Sequence, residues 1–164
     1  FFYKLAGYNG IPVMLVLMAI IVAIYHFITT QTVAGRQIYA MGGNAKAARL
    51  SGINTEKVFF WVYANMGFLA GLAGIVLSAR NASATPKAGD SFEMDAIASC
   101  YIGGAATSGG IGTVIGAVVG AFIMGILNNG MSLAGFDTNV QKIVKGAVLL
   151  GAVTIDLVSK RKKN

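Results

Sequence analysis

The sequence predicts an all-α, polytopic membrane protein of about five transmembrane helices, one of them short or broken, with a short capped basic helix in the loop after the first span. Three observations carry that reading. Of 164 residues, 55% are hydrophobic and only 12% charged, about half the charged share of a soluble domain, so lipid is the main solvent. The 22 glycines suit closely packed transmembrane helices. The charges are gathered into clusters between membrane-length apolar runs, and neither Pro12 nor Pro86 interrupts a long run.

The chain opens at Phe1 without Met or a signal peptide, so it reads as the C-terminal part of a longer polypeptide forming a single membrane domain, 1–164. Residues 11–30 form the first span, with His26 near its end as an interfacial or packing residue rather than a proton relay. Residues 31–57 are polar and basic (Arg36, Lys46, Arg49, Lys57) and are assigned to the cytoplasm with the basic tail 159–164. The net charge of +7 is thus a positive-inside signal, and no aromatic residues interleave the terminal run as a nucleic-acid surface would require. Inside the loop, Asn44 can cap a helix and Gly52 can end it in the left-handed conformation. The roughly two turns between them are too short to be stable alone in water, so packing or a partner must hold them.

Residues 58–79 form the second span, with Trp61 and Tyr63 as an aromatic belt at its inner end. Residues 80–95 are an external loop holding Asp90, Glu93 and Asp95. Residues 96–108 are apolar but short, residues 111–131 a full span, 135–139 a turn and 140–158 the last span. With 31–57 and the tail on one side, the segments between must cross an even number of times, so 96–108 crosses as a short or broken helix. Such helices occur at membrane depth where protein shields them or they line a cavity.

Gly67/Gly71, Gly112/Gly116 and Gly116/Gly120 are spaced for close helix approach. The glycines from Gly103 to Gly112 are not a phosphate loop, because no Lys occurs between Lys87 and Lys142. One His and one Cys build no metal site, and no nucleophile–base pair or cofactor motif is visible, so the chain reads as no enzyme. Asp95 is placed as an N-cap, and Asp156 as a snorkelling residue or a partner of Lys160. Asn65, Asn128 and Asn129 are amides inside apolar runs. They suit a pathway for a polyhydroxylated neutral solute, and interhelical hydrogen bonding explains them equally well.

Three blocks resemble the permease subunit of bacterial ABC importers for monosaccharides, the ribose/galactose/xylose branch. They are Gly35-Arg36 with Tyr39-Ala40-Met41-Gly42-Gly43-Asn44 and Ala47-Ala48-Arg49-Leu50-Ser51-Gly52-Ile53; Phe92 to Ala98 with Ile102-Gly103-Gly104-Ala105 and Gly109-Gly110-Ile111-Gly112-Thr113; and Asn128-Asn129-Gly130-Met131 with Gln141 and Val144-Lys145-Gly146. Ala98-Ser99-Cys100 and the glycines after it look most similar to the xylose and multiple-sugar permeases. The resemblance implies the C-terminal half of an inner-membrane subunit with its C-terminus in the cytoplasm. It works as a homodimer in membrane lipid, with a cytoplasmic ABC ATPase and an extracytoplasmic sugar-binding protein as partners. It also implies that helix 44–52 is the coupling helix that docks on the ATPase, with Gly43, Asn44, Lys46, Ala47, Arg49, Leu50, Ser51 and Gly52 as its residues. Lys46 and Arg49 should face the ATPase or lipid headgroups, and Ala47, Leu50 and Ile53 should supply apolar contact. The rival readings are an ion-coupled transporter or channel, which needs ionisable groups in mid-membrane, and a scaffold whose short helix rests on lipid.

Overall fold

The computed structural model describes residues 13–83, 85–86 and 89–161, with the backbone alone for Val13, Ile155, Ser159, Lys160 and Arg161. The first two residues of the expected first span, the side chains of Lys160 and Arg161, and tail residues 162–164 lie outside the described residues. Among those described are seven helices and no strand: α1 Val13–Gln31, α2 Val33–Gly43, α3 Ala45–Leu50, α4 Thr55–Asn81, α5 Phe92–Ile102, α6 Val114–Leu133 and α7 Thr138–Arg161.

Among the described residues three segments are long and apolar enough to cross a membrane: Met14–Gln31 in α1, Thr55–Asn81 in α4 and Val114–Leu133 in α6. The other two expected crossings fall on α5 and α7. Helix α5 has 11 residues, about 16 Å against a hydrocarbon core of about 30 Å. Helix α7 is 24 residues long but carries Lys142, Lys145 and Asp156.

Thr32 separates α1 from α2 while satisfying both. Its hydroxyl donates to the Ile28 carbonyl (2.6 Å) and accepts from the Gly35 N–H (3.3 Å). A side chain on Gly35 would strike the Ile28 and Thr29 carbonyls, so only glycine lets α2 fold back against the end of α1. Helix α2 is absent from the sequence reading, which placed one short helix in an otherwise irregular loop.

Helices α5 and α6 pack backbone to backbone. A Cβ on Gly116 would collide with the Gly103 carbonyl, and one on Gly120 with the Ser99 carbonyl, which is the close approach the Gly116/Gly120 spacing predicts. Gly67 and Gly71 on α4 meet nothing within 4 Å, and Gly112 lies before α6 begins, so those pairings are not helix contacts among the described residues. Helix α4 buries none of its residues.

Candidate functional site

Helix α3 is fixed at both ends by its own sequence. The Asn44 side chain accepts from the Ala47 N–H (3.0 Å), while the Asn44 N–H closes α2 on the Ala40 carbonyl (3.0 Å). One residue therefore ends α2 and begins α3. At the other end Gly52 takes φ +85°, its N–H donates to Arg49, and the Ile53 N–H reaches back to Ala48 (3.1 Å). That bond pair is the Schellman arrangement, which satisfies the last carbonyls of a helix.

Ala48 is the buried residue of α3, at 4% exposure, and seats it on the protein. Lys46, Ala47, Arg49 and Ser51 are exposed, and Leu50 is 90% exposed. A Cβ on Gly43 or Gly52 would meet nothing within 4 Å. The exposed face of α3 thus sets a bare leucine beside an arginine and a lysine, on a helix capped at both ends. Ile53, expected in that contact, is half-buried.

A second cluster joins α5, α6 and α7. Asp95 lies inside the first turn of α5, whose N-cap is Ser91, so the sequence placement of Asp95 as the cap is corrected. The helix begins earlier than expected, and the aspartate projects sideways to a partner. Asp95 Oδ2 accepts from Lys145 Nζ (2.9 Å) and from Asn128 Nδ2 (3.1 Å). The Lys145 and Asp95 side chains are only 12% and 19% exposed. Asp95 Oδ1 and Asn128 Oδ1 are buried and find no donor among the described residues. Two buried acceptors without donors are costly, and water or hydroxyl groups would relieve that cost.

Asn129 is exposed and outside this cluster. Asn65 is elsewhere again: on α4, it accepts from the Tyr25 hydroxyl in a cavity of about 660 Å³ between α1, α2 and α4. The three sequence-predicted amides therefore do not converge. Sequence reasoning missed Lys145 as the partner of Asp95. The available signal was two opposite charges, each in the first turns of an apolar helix, but nothing local set their register.

Asp156 near the end of α7 accepts from the Thr107 N–H (3.0 Å) and hydroxyl (2.8 Å) in the loop after α5. It thus supplies an acceptor to a non-helical segment. The side chain of Lys160, its expected partner, lies outside the described residues.

The family described as "Branched-chain amino acid transport system / permease component" matches residues 1–153. The xylose transport system permease protein XylH of Escherichia coli (strain K12) is 48% identical over 160 residues, covering 98% of this chain and 41% of that protein. The XylH protein of Haemophilus influenzae is 47% identical, covering 98% and 43%. The ribose import permease protein RbsC of Escherichia coli (strain K12) is 46% identical over 147 residues, covering 90% and 46%. The chain thus spans less than half the length of these relatives. No solved structure matches.

Proposed function

The chain belongs to the permease-component family matched over residues 1–153, and from that premise we propose that it is the C-terminal half of the membrane subunit of an ATP-driven importer for a monosaccharide such as xylose or ribose. In this reading α3 is the coupling helix and a separate cytoplasmic ATPase supplies the hydrolysis. An extracytoplasmic binding protein delivers the sugar, and two permease copies enclose the pathway. The names of the relatives support the substrate class. The observation that carries the coupling assignment is the 90% exposure of Leu50 on a helix capped at both ends.

Docking drives transport only if the ATPase grips α3 differently in its nucleotide states, since a contact equal in both shifts no equilibrium. In the full permease, reconstituted with its ATPase and binding protein, Ala47→Asp or Gly52→Pro should abolish uptake and ATPase association. Sugar capture by the binding protein should be intact. Normal transport by either variant removes the assignment.

The pathway part of the proposal rests on the amides Asn65, Asn128 and Asn129, which suit a polyhydroxylated solute; of these Asn128 is tied to Asp95 through Nδ2 and keeps a buried Oδ1. Asn128→Leu keeps the bulk and removes that acceptor together with the Nδ2 donor to Asp95. Uptake per folded transporter should fall about tenfold, the equivalent of about 1.4 kcal/mol. If uptake merely tracks the amount of folded protein, Asn128 is interhelical glue.

The ion-coupled alternative is weakened because Asp95 and Lys145 neutralise each other. Uptake by vesicles with an ion gradient and no ATP would restore it.

A further inference from the structure

The glycine-rich loop 103–113 has no nucleotide role, yet it meets α2 with unusual closeness immediately before α3. A Cβ on Gly42 would stand 2.7 Å from the Gly110 nitrogen, one on Gly110 2.7 Å from the Gly43 nitrogen and Cα, and one on Gly109 2.5 Å from the Gly42 carbonyl oxygen. The two backbones therefore touch directly, with no side chain between them. Beside this contact the Tyr39 hydroxyl donates to the Gly112 carbonyl (2.8 Å). Gly109 and Gly110 hold φ of +82° and +75°, which keeps the loop open to this approach.

Both sides of the contact are stiffly connected. On one side Asn44 joins the end of α2 to α3 through its N–H and its side chain. On the other, the loop is tied to α5 by the Ala105 N–H on Cys100, to α6 by the Thr113 cap, and to α7 by Thr107 on Asp156. Side-chain contacts can absorb a small displacement by changing rotamer, whereas two close-packed backbones cannot.

We infer that Gly42, Gly110 and Tyr39 are positioning residues that carry the displacement of α3 into the α5–α6–α7 bundle. The inference rests on the reading of α3 as the ATPase-docking helix. The solute then moves because the loop and the helices it joins shift as one piece between two arrangements.

The test uses the full permease with its ATPase and binding protein in proteoliposomes, and its readout is solute imported per ATP hydrolysed. A residue that is merely structural lowers uptake and hydrolysis together and leaves that ratio unchanged. Gly42→Ala and Gly74→Ala both improve helix propensity, but only the first places a methyl against Gly110, since a Cβ on Gly74 in α4 meets nothing within 4 Å. Gly42→Ala should lower the ratio by roughly 5- to 150-fold, the range of ordinary allosteric coupling, while Gly74→Ala leaves it unchanged. Equal ratios for the two variants overturn the inference. If Gly42→Ala does not assemble, Tyr39→Phe decides: a lowered ratio supports the inference and an unchanged one overturns it. Ala47→Asp separates this failure from that of the docking reading. If Ala47→Asp still binds the ATPase and transports, α3 is not the docking helix. If it does neither while Gly42→Ala keeps its ratio, only the transmission route falls.

Discussion

Lys142 and Lys145 lie three residues apart on α7 and pair with Asp90 and Asp95, yet their settings differ. The outer pair, at 2.7 Å, is 41% and 59% exposed, and Lys142 holds the Asp90 carboxyl below the usual carboxylate range, first by its hydrogen bond and then by its charge. Because that shift is downward, whatever the pair adds is present at neutral pH and is lost only on acidification through the lowered range. Solvent screens it, so Lys142→Ala should leave the thermal midpoint of the full permease in detergent unchanged. Lys145→Ala strands a mostly buried carboxylate that already lacks a donor on Oδ1, and should cost about 3 kcal/mol, read as a clear drop in the same midpoint. Equal midpoints would show that the Asp95 site reaches water. Asn128 was legible in the sequence because an amide in an apolar run demands a partner. The partners themselves were not, because the register of α5 against α7 spans about 50 residues of chain and leaves no local trace.

At the scale of elements, α3 was legible because capping is local chemistry: an asparagine that accepts from the third N–H after it, and a glycine that takes positive φ where the helix must stop. Helix α2 was hidden because glycines at 35, 42 and 43 depress helix propensity and dilute its apolar pattern. Those glycines are explained only by what they touch: Gly35 by the end of α1, and Gly42 by the loop 109–110. The same lesson runs the other way on α4. Gly67 and Gly71 have the spacing of a helix contact, yet a Cβ on either would meet no neighbour among the described residues, since spacing permits close approach without specifying a partner. Crossing parity asked for a short helix over 96–108 and the structure has α5 at Phe92–Ile102, whereas the tie of the loop after it to α7 through Thr107 and Asp156 left no trace in the sequence.

For the whole molecule, the ties between helices fix which ends lie together. Asp90 and Asp95 pair with Lys142 and Lys145, so α5 and α7 start side by side; Thr107 bonds Asp156, so they finish side by side and run parallel. Tyr39 bonds Gly112, which brings the end of α2 to the finishing level. Along α7 the Lys145 and Asp156 ties are 11 residues apart, about 16 Å. If α7 crosses the membrane as proposed, with these ties toward opposite faces, at least one lies within a hydrocarbon core of about 30 Å, where pairing makes it tolerable. The proposed orientation follows from charge bookkeeping. Arg36, Lys46, Arg49 and Lys57 share the loop around α3 and Lys160, Arg161, Lys162 and Lys163 share the tail, against Arg80 and Lys87 in the loop 80–95, so the positive-inside rule puts α3 in the cytoplasm and the start of α7 outside. In the full permease with Cys100 replaced by Ser, a membrane-impermeant maleimide applied to intact spheroplasts should label Asp137→Cys directly. It should label Ser51→Cys only after the membrane is opened. Both positions are exposed, so labelling of both from the same side would break the crossing parity of α4 to α6 and with it the assignment of α5 as a crossing.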